Sequence, residues 1–111
     1  MDKLTFFRKC IKNILSQYHL DDLTEEGYDS QLIFDEERDH YLWLDLGWED
    51  SKRIYFTVIH FDIKDDKIWL QRNMTDLDPA KDLIEMGVEY QDIILGLQAP
   101  FKRPYTDYGV A

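Results

Sequence analysis

The sequence predicts an α+β fold: an N-terminal amphipathic helix, a four-stranded antiparallel meander, a short second helix and an extended C-terminal tail packed on the body. Three observations lead there. Residues 2–19 carry apolar side chains at helical spacing. Residues 31–71 carry four short runs rich in β-branched and aromatic residues, and the links between those runs are short and charged. Short links between consecutive strands make hairpins, because a parallel connection needs a crossover of a dozen or more residues.

In the first element, Leu4, Phe7, Ile11, Ile14, Leu15 and Tyr18 form one apolar stripe of about 100°. Asp2 is placed to cap it. Phe6 and Cys10 widen the stripe, so this helix is expected to touch more than one element, or a second chain. Residues 21–29 (DDLTEEGYD) read as a polar connector. The strands are expected at 31–34 (QLIF), 40–48 (HYLWLDLGW), 53–63 (RIYFTVIHFDI) and 67–71 (KIWLQ). In the second, Leu42, Leu44, Leu46 and Trp48 alternate onto one face. In the third, strict alternation puts Ile54, Phe56 and Val58 on one face and Tyr55, Ile59, Phe61 and Ile63 on the other. A strand apolar on both sides needs cover on both sides. Helices supply one cover; the tail or another subunit is left to supply the second.

Asp78 as cap, Pro79 at the first helical position and Gly87 at the stop mark a short second helix. A tight turn at 89–92 and a short extended piece at 93–95 follow. The tail, 98–111 (QAPFKRPYTDYGVA), holds Pro100 and Pro104, which lower the entropy cost of docking it. Phe101, Tyr105 and Tyr108 add apolar area. It is expected to lie on the sheet face or across a dimer seam, with Lys102 and Arg103 near acidic side chains.

A length of 111 residues fits one domain, 1–111, with a sizeable core. No apolar run approaches the roughly 20 residues of a membrane span, and no signal-peptide core is present, which points to the cytoplasm. A single cysteine, Cys10, forbids an internal disulfide and a cysteine-cluster metal site. The balance of 13 basic against 23 acidic side chains gives a net charge of −10. Such a field repels phosphate, whereas DNA-binding domains show a basic face. Lys3, Arg8, Lys9 and Lys12 crowd the first 12 residues against Asp2 alone, and read first as a solvated helix face.

There is no Gly-rich phosphate loop, no H-E-x-x-H and no serine in a nucleophile-elbow setting. Antiparallel pairing can bring Asp35, Asp39 and His40 near His60 and Asp62, a donor set able to hold a divalent metal. A charged hairpin with two hydrogen-bonded histidines is the plainer reading, so no cofactor is expected. Asp62-x-Lys64 at a strand end, with Asp45 on a neighbour, has the composition of a metal-dependent nuclease site. That pattern also arises often by chance.

Several stretches together resemble the XisI family of cyanobacterial proteins, over essentially the whole chain and in order. The most specific are Arg38-Asp39-His40-Tyr41, Gly47-Trp48, the run H-x-DIK-x-x-KIW containing His60, Asp62, Lys64, Lys67 and Trp69, and the run from Arg103 through Tyr105 and Thr106 to Ala111. The resemblance implies a factor that controls excision of the fdxN element during heterocyst differentiation. Its implied partners are a nuclease-like companion, XisH, and a site-specific recombinase, XisF. It implies an accessory or regulatory role rather than catalysis. Three departures stand out. Met74 replaces the Gly of the family's N-G-T-E turn, Gln98 stands where a His-Pro-Pro run begins, and Tyr108-Gly109 replaces Phe-Ala.

The resulting expectation is a non-enzymatic regulator binding a XisH-like nuclease through Asp35, Glu36, Glu37 and Asp50, with Lys102, Arg103 and Tyr105 as further candidates. An acidic surface can cover a basic DNA-binding face and steer association. The alternatives are direct DNA binding through Arg8, Lys9, Lys12, Lys102 and Arg103, and a metal-dependent nuclease subunit. A homodimer is expected from the apolar surplus and from Trp43, Trp48 and Trp69 in the strands.

Overall fold

The computed structural model describes residues 1–22 and 28–111; the centre of the 21–29 connector lies outside the described residues. The element order is α1 (Lys3–Asp21), β1 (Tyr28–Asp35), β2 (His40–Glu49), β3 (Lys52–Lys64), β4 (Lys67–Asn73), α2 (Pro79–Glu85) and β5 (Ile93–Leu95). One sheet runs in the order β1-β2-β3-β4-β5. Its first four strands form the expected antiparallel meander. The extended piece at 93–95 is a fifth strand, parallel to β4. The segment from Met74 through α2 supplies the crossover that a parallel neighbour requires.

Local chemistry sets the element ends. The Asp2 carboxylate accepts from Thr5 N at 2.8 Å and starts α1. Asp78 does the same for Lys81 N, with Pro79 at the first turn of α2. Gly87, at φ 108°, takes the left-handed position that ends α2. The β3–β4 hairpin turns on Asp65 and Asp66, both at positive φ. That is the backbone of a two-residue type I′ turn, and Asp tolerates it better than most non-glycine residues. Met74 is not among the positive-φ residues. Asn73 Oδ1 accepts from Thr75 N and Oγ1 instead, so this turn does without the family's glycine.

The core lies between the sheet and the two helices. Phe7, Cys10, Ile11, Ile14 and Leu15 of α1 and Leu83 of α2 pack on Tyr41, Trp43, Ile59, Phe61, Ile68 and Ile93. Cys10 is buried and free, and burial pushes its thiol pKa up, away from reactivity.

Two bulges reset the alternation. Trp43 pairs with Ile59 and Leu44 with Thr57, leaving Val58 as an extra residue. Val58 and Ile59 are consequently both buried in sequence. The strict alternation expected for β3 therefore fails: Tyr55 falls on the face opposite Ile59, Phe61 and Ile63, opposite Leu46 in register. On β4, His60 pairs with Arg72 and Phe61 with Leu70, leaving Gln71 extra.

The tail packs on the body, but it is not simply extended: Pro100–Tyr105 forms a 3₁₀ helix. Further on, Gly109 bridges to Ile94 beyond β5. A Cβ at Gly109 would stand 2.4 Å from Gln91 O, so glycine, where the family pattern has alanine, permits this approach. Arg103 holds the corner. Its Nε donates to Leu95 O and Gln98 O, both at 3.1 Å, and its guanidinium lies 5.4 Å from the Trp69 ring centre. The expectation of acidic neighbours for the Lys102–Arg103 pair fails. Arg103 is buried on backbone carbonyls, and Lys102 enters no ion pair among the described residues. A planar guanidinium with five donors suits a cluster of converging carbonyl ends.

Candidate functional site: a polar cluster on the open face of the sheet

Strand alternation gives the sheet two faces. Tyr41 and Trp43 point to the helices; His40, Leu42, Leu44, Leu46 and Trp48 point away from them. Leu44 and Ile94 are buried, yet neither belongs to the core under the helices. The tail meets this second face at the β4–β5 corner, through Arg103 at the Trp69 ring and the Gly109–Ile94 bridge. Ile33, Trp48 and Tyr55 remain 43%, 58% and 65% exposed on it.

A register row crosses this face: Asp35, His40, Asp62, Trp69 and Ile94 lie side by side on β1 through β5. The next row carries Ile33, Leu42, His60 and Arg72. At the centre, His40 Nδ1 and His60 Nε2 each lie 2.7 Å from the same oxygen, Asp62 Oδ1. Gln71 Nε2 donates to the other oxygen, Oδ2, at 3.1 Å. Burial alone would raise the Asp62 pKa; the hydrogen bonds from His40 and His60 outweigh it and hold the carboxyl below its usual range.

The structure divides the other candidates. Asp39 sits on the helix side: Arg8 Nε and Nη2 meet it at 2.8 and 3.1 Å, and the Tyr41 hydroxyl donates at 2.8 Å. The hydrogen bond from Arg8 is the main reason its pKa is low. Asp35 caps the β1–β2 turn through the amides of Glu37 and Arg38, and the Arg38 amide is the chief cause of its lowered pKa. Of the five residues weighed as metal ligands, only His40, His60 and Asp62 converge. Asp45 is not brought to Asp62 and Lys64. It is buried on the helix side beside Ser30 and the Trp43 indole, while Lys64 lies 4.8 Å from the Trp69 ring centre. The nuclease constellation is therefore not assembled.

The candidate DNA cations are also dispersed. Arg8 is committed to Asp39, Lys12 to Glu36 at 2.7 Å, and Arg103 is buried, leaving Lys9 and Lys102 exposed. Of the proposed partner residues, Glu36, Glu37, Asp50, Lys102 and Tyr105 are exposed, Asp35 is half-buried and Arg103 is buried. Glu36 and Glu37 share one end of the sheet with Asp65 and Asp66, whereas Asp50 turns at the other end. Lys67 Nζ donates to Gln91 O at 3.0 Å, and Thr106 Oγ1 donates to Arg103 O at 2.9 Å, so both serve the β5–tail corner. A surface groove between α1 and α2, near Tyr18 and Asp82, contains none of the sequence-predicted residues. Sequence reading missed Gln71, because no local signal marks a bulge that aims an amide at Asp62.

The XisI protein family model matches residues 1–110. The chain belongs to the XisI family. A XisI-like protein from Anabaena variabilis ATCC 29413 has a crystal structure similar to this one, at 55% identity and a TM-score of 0.93, covering 97% of this chain and 99% of that one. The fdxN element excision controlling factor XisI from the same organism matches at 36% identity and a TM-score of 0.89, covering 99% of this chain and 100% of that one. No curated protein matches. Among the described residues, no helix is long and apolar enough to cross a membrane.

Proposed function

We propose that this chain is a non-enzymatic, cytoplasmic regulator of DNA excision that acts by binding a XisH-like nuclease, with a XisF-like site-specific recombinase as a further partner. The observation that carries this reading is the full-length likeness to a protein named as an excision controlling factor. The charge distribution supports it. The chain carries −10, and Glu37, Asp65 and Asp66 at one end of the sheet enter no ion pair among the described residues. An unneutralised acidic rim suits a basic, DNA-cleaving partner. Direct DNA contact is not favoured, because Arg8, Lys12 and Arg103 are already engaged. Co-purification with a XisH-like protein at low salt, lost at high salt and weakened by charge reversal at Glu37, Asp65 and Asp66, is the expected result. Absence of any complex at low salt overturns the reading.

The same open face supports self-association. Ile33, Trp48 and Tyr55 offer apolar area that the helices do not reach, and a second copy can cover it by two-fold symmetry. Light scattering is expected to give a dimer mass; a monomer at working concentration removes this part of the proposal.

A further inference from the structure

Two histidines and a carboxylate from adjacent strands meet on the open face. His40 and Asp62 are register partners on β2 and β3, and His60 is two residues before Asp62 on the same face of β3. Each residue presents one donor atom, and the three atoms lie within 4.8 Å of one another. Two imidazole nitrogens aim at one oxygen, rather than one at each. The second oxygen is already taken by Gln71.

We propose that His40, His60 and Asp62 form a binding site for a divalent transition-metal ion of the Zn²⁺ class. His40 would bind through Nδ1, His60 through Nε2 and Asp62 through Oδ1. Imidazole and carboxylate together suit this class better than Mg²⁺ or Ca²⁺, which prefer oxygen alone. Tetrahedral ligands about 2.0–2.1 Å from zinc stand about 3.3 Å apart. The nitrogen–oxygen distances of 2.7 Å therefore open by about 0.6 Å as the metal replaces the two bridging protons. Side-chain rotation covers such a change while the strands stay fixed. The Gln71 amide keeps the carboxylate from swinging to two-oxygen binding and acts as the outer partner that metal carboxylates usually have.

The surroundings permit a cation. Arg72 Nε is bound to Thr57 O, Arg103 to backbone carbonyls, and Lys64 lies over the Trp69 ring. The overall charge of −10 draws cations to the surface. His40 is 54% exposed at its side chain, so water reaches the site and supplies the fourth ligand. Three protein ligands with one open position distinguish this site from a closed structural one.

The test is calorimetric titration of the full chain with Zn²⁺, combined with X-ray absorption at the zinc edge. One ion per chain, with two imidazoles in its shell, is expected. His40→Ala should weaken binding more than tenfold, and His60→Ala and Asp62→Asn likewise. His40 is at the surface, so its variant serves as the reference if a more buried substitution impairs folding. Gln71→Ala should weaken binding about tenfold, as loss of an outer partner does. His19→Ala should leave it unchanged, since His19 Nε2 meets Ser30 O on the helix side. No binding at micromolar Zn²⁺ overturns the proposal, as does binding that survives His40→Ala and Asp62→Asn.

Discussion

The two faces of the sheet are made by the same strands, yet they hold different chemistry. On the helix side, β2 and β3 present Tyr41, Trp43, Ile59 and Phe61, all nearly without solvent contact. On the other side the same strands present His40, His60 and Asp62 at one end and Trp48 and Tyr55 at the other. The first face spends its side chains on folding. The second retains a satisfied polar cluster and exposed aromatics, which a stability argument alone does not require. A two-residue period lets one strand serve both faces, and a substitution should report which face it strikes.

Removing a large side chain from the covered face should have the largest effect. Phe61 is fully buried, and Phe61→Ala should cost about 3–5 kcal/mol, measured by denaturant unfolding. A loss below about 1 kcal/mol would contradict the assignment of that face to the core.

The tail corner comes next. Arg103→Met keeps much of the stem but takes the guanidinium donor from Gln98 O and leaves Leu95 O with the Gln98 amide alone. A loss of about 1–3 kcal/mol is expected. Deleting 100–111 should lower the melting temperature further, and an unchanged melting point would mean that the corner is not a clasp.

Acid should act on both faces at once. Asp39 under α1 and Asp62 on the open face both have lowered pKa values. Their stabilisation is complete above the unfolded carboxylate pKa of about 3.9 and is lost as pH falls through their folded values. Stability should thus be flat near neutrality and decline below about pH 4. Asp62→Asn and Asp39→Asn should each flatten that decline. An unaltered acid limb in both variants would show that neither carboxylate carries the linkage. Tyr18 and Tyr41 give the opposite limb. Burial, chiefly, raises both pKa values, so their stabilisation is present below about pH 10 and disappears as pH rises through the folded values.

The smallest effect on stability is expected at the exposed end of the open face. Trp48→Ala and Tyr55→Ala should change unfolding free energy by no more than about 0.5 kcal/mol. In the proposed dimer they should instead shift mass toward monomer. A large stability loss without a change in mass would move this end of the sheet from association to folding.

Much of the fold was legible because its signals are local. Asp2 and Asp78 announce helix starts through their own carboxylates, Gly87 announces a stop, and the short charged links announce hairpins. The His40–His60–Asp62 cluster was partly legible too, since hairpin register brings those strands together. Asp35 and Asp39 could not be sorted from it by sequence, because their partners depend on where a turn amide points and where α1 docks. Lys102 and Arg103 look alike in sequence and differ in fate: one is at the surface, the other is buried among carbonyls.

The sequence by itself determined the helix stripe, the caps, the four hairpin strands and the acid excess, since spacing and composition act over a few residues. Only the tertiary structure decided that 93–95 joins β4 as a parallel strand, that Val58 and Gln71 bulge, and that Arg103 closes the tail. Each depends on partners distant in the chain or on how long strands accommodate one another. Backbone pairing has no side-chain code of its own, and one extra residue reverses every later side chain on its strand.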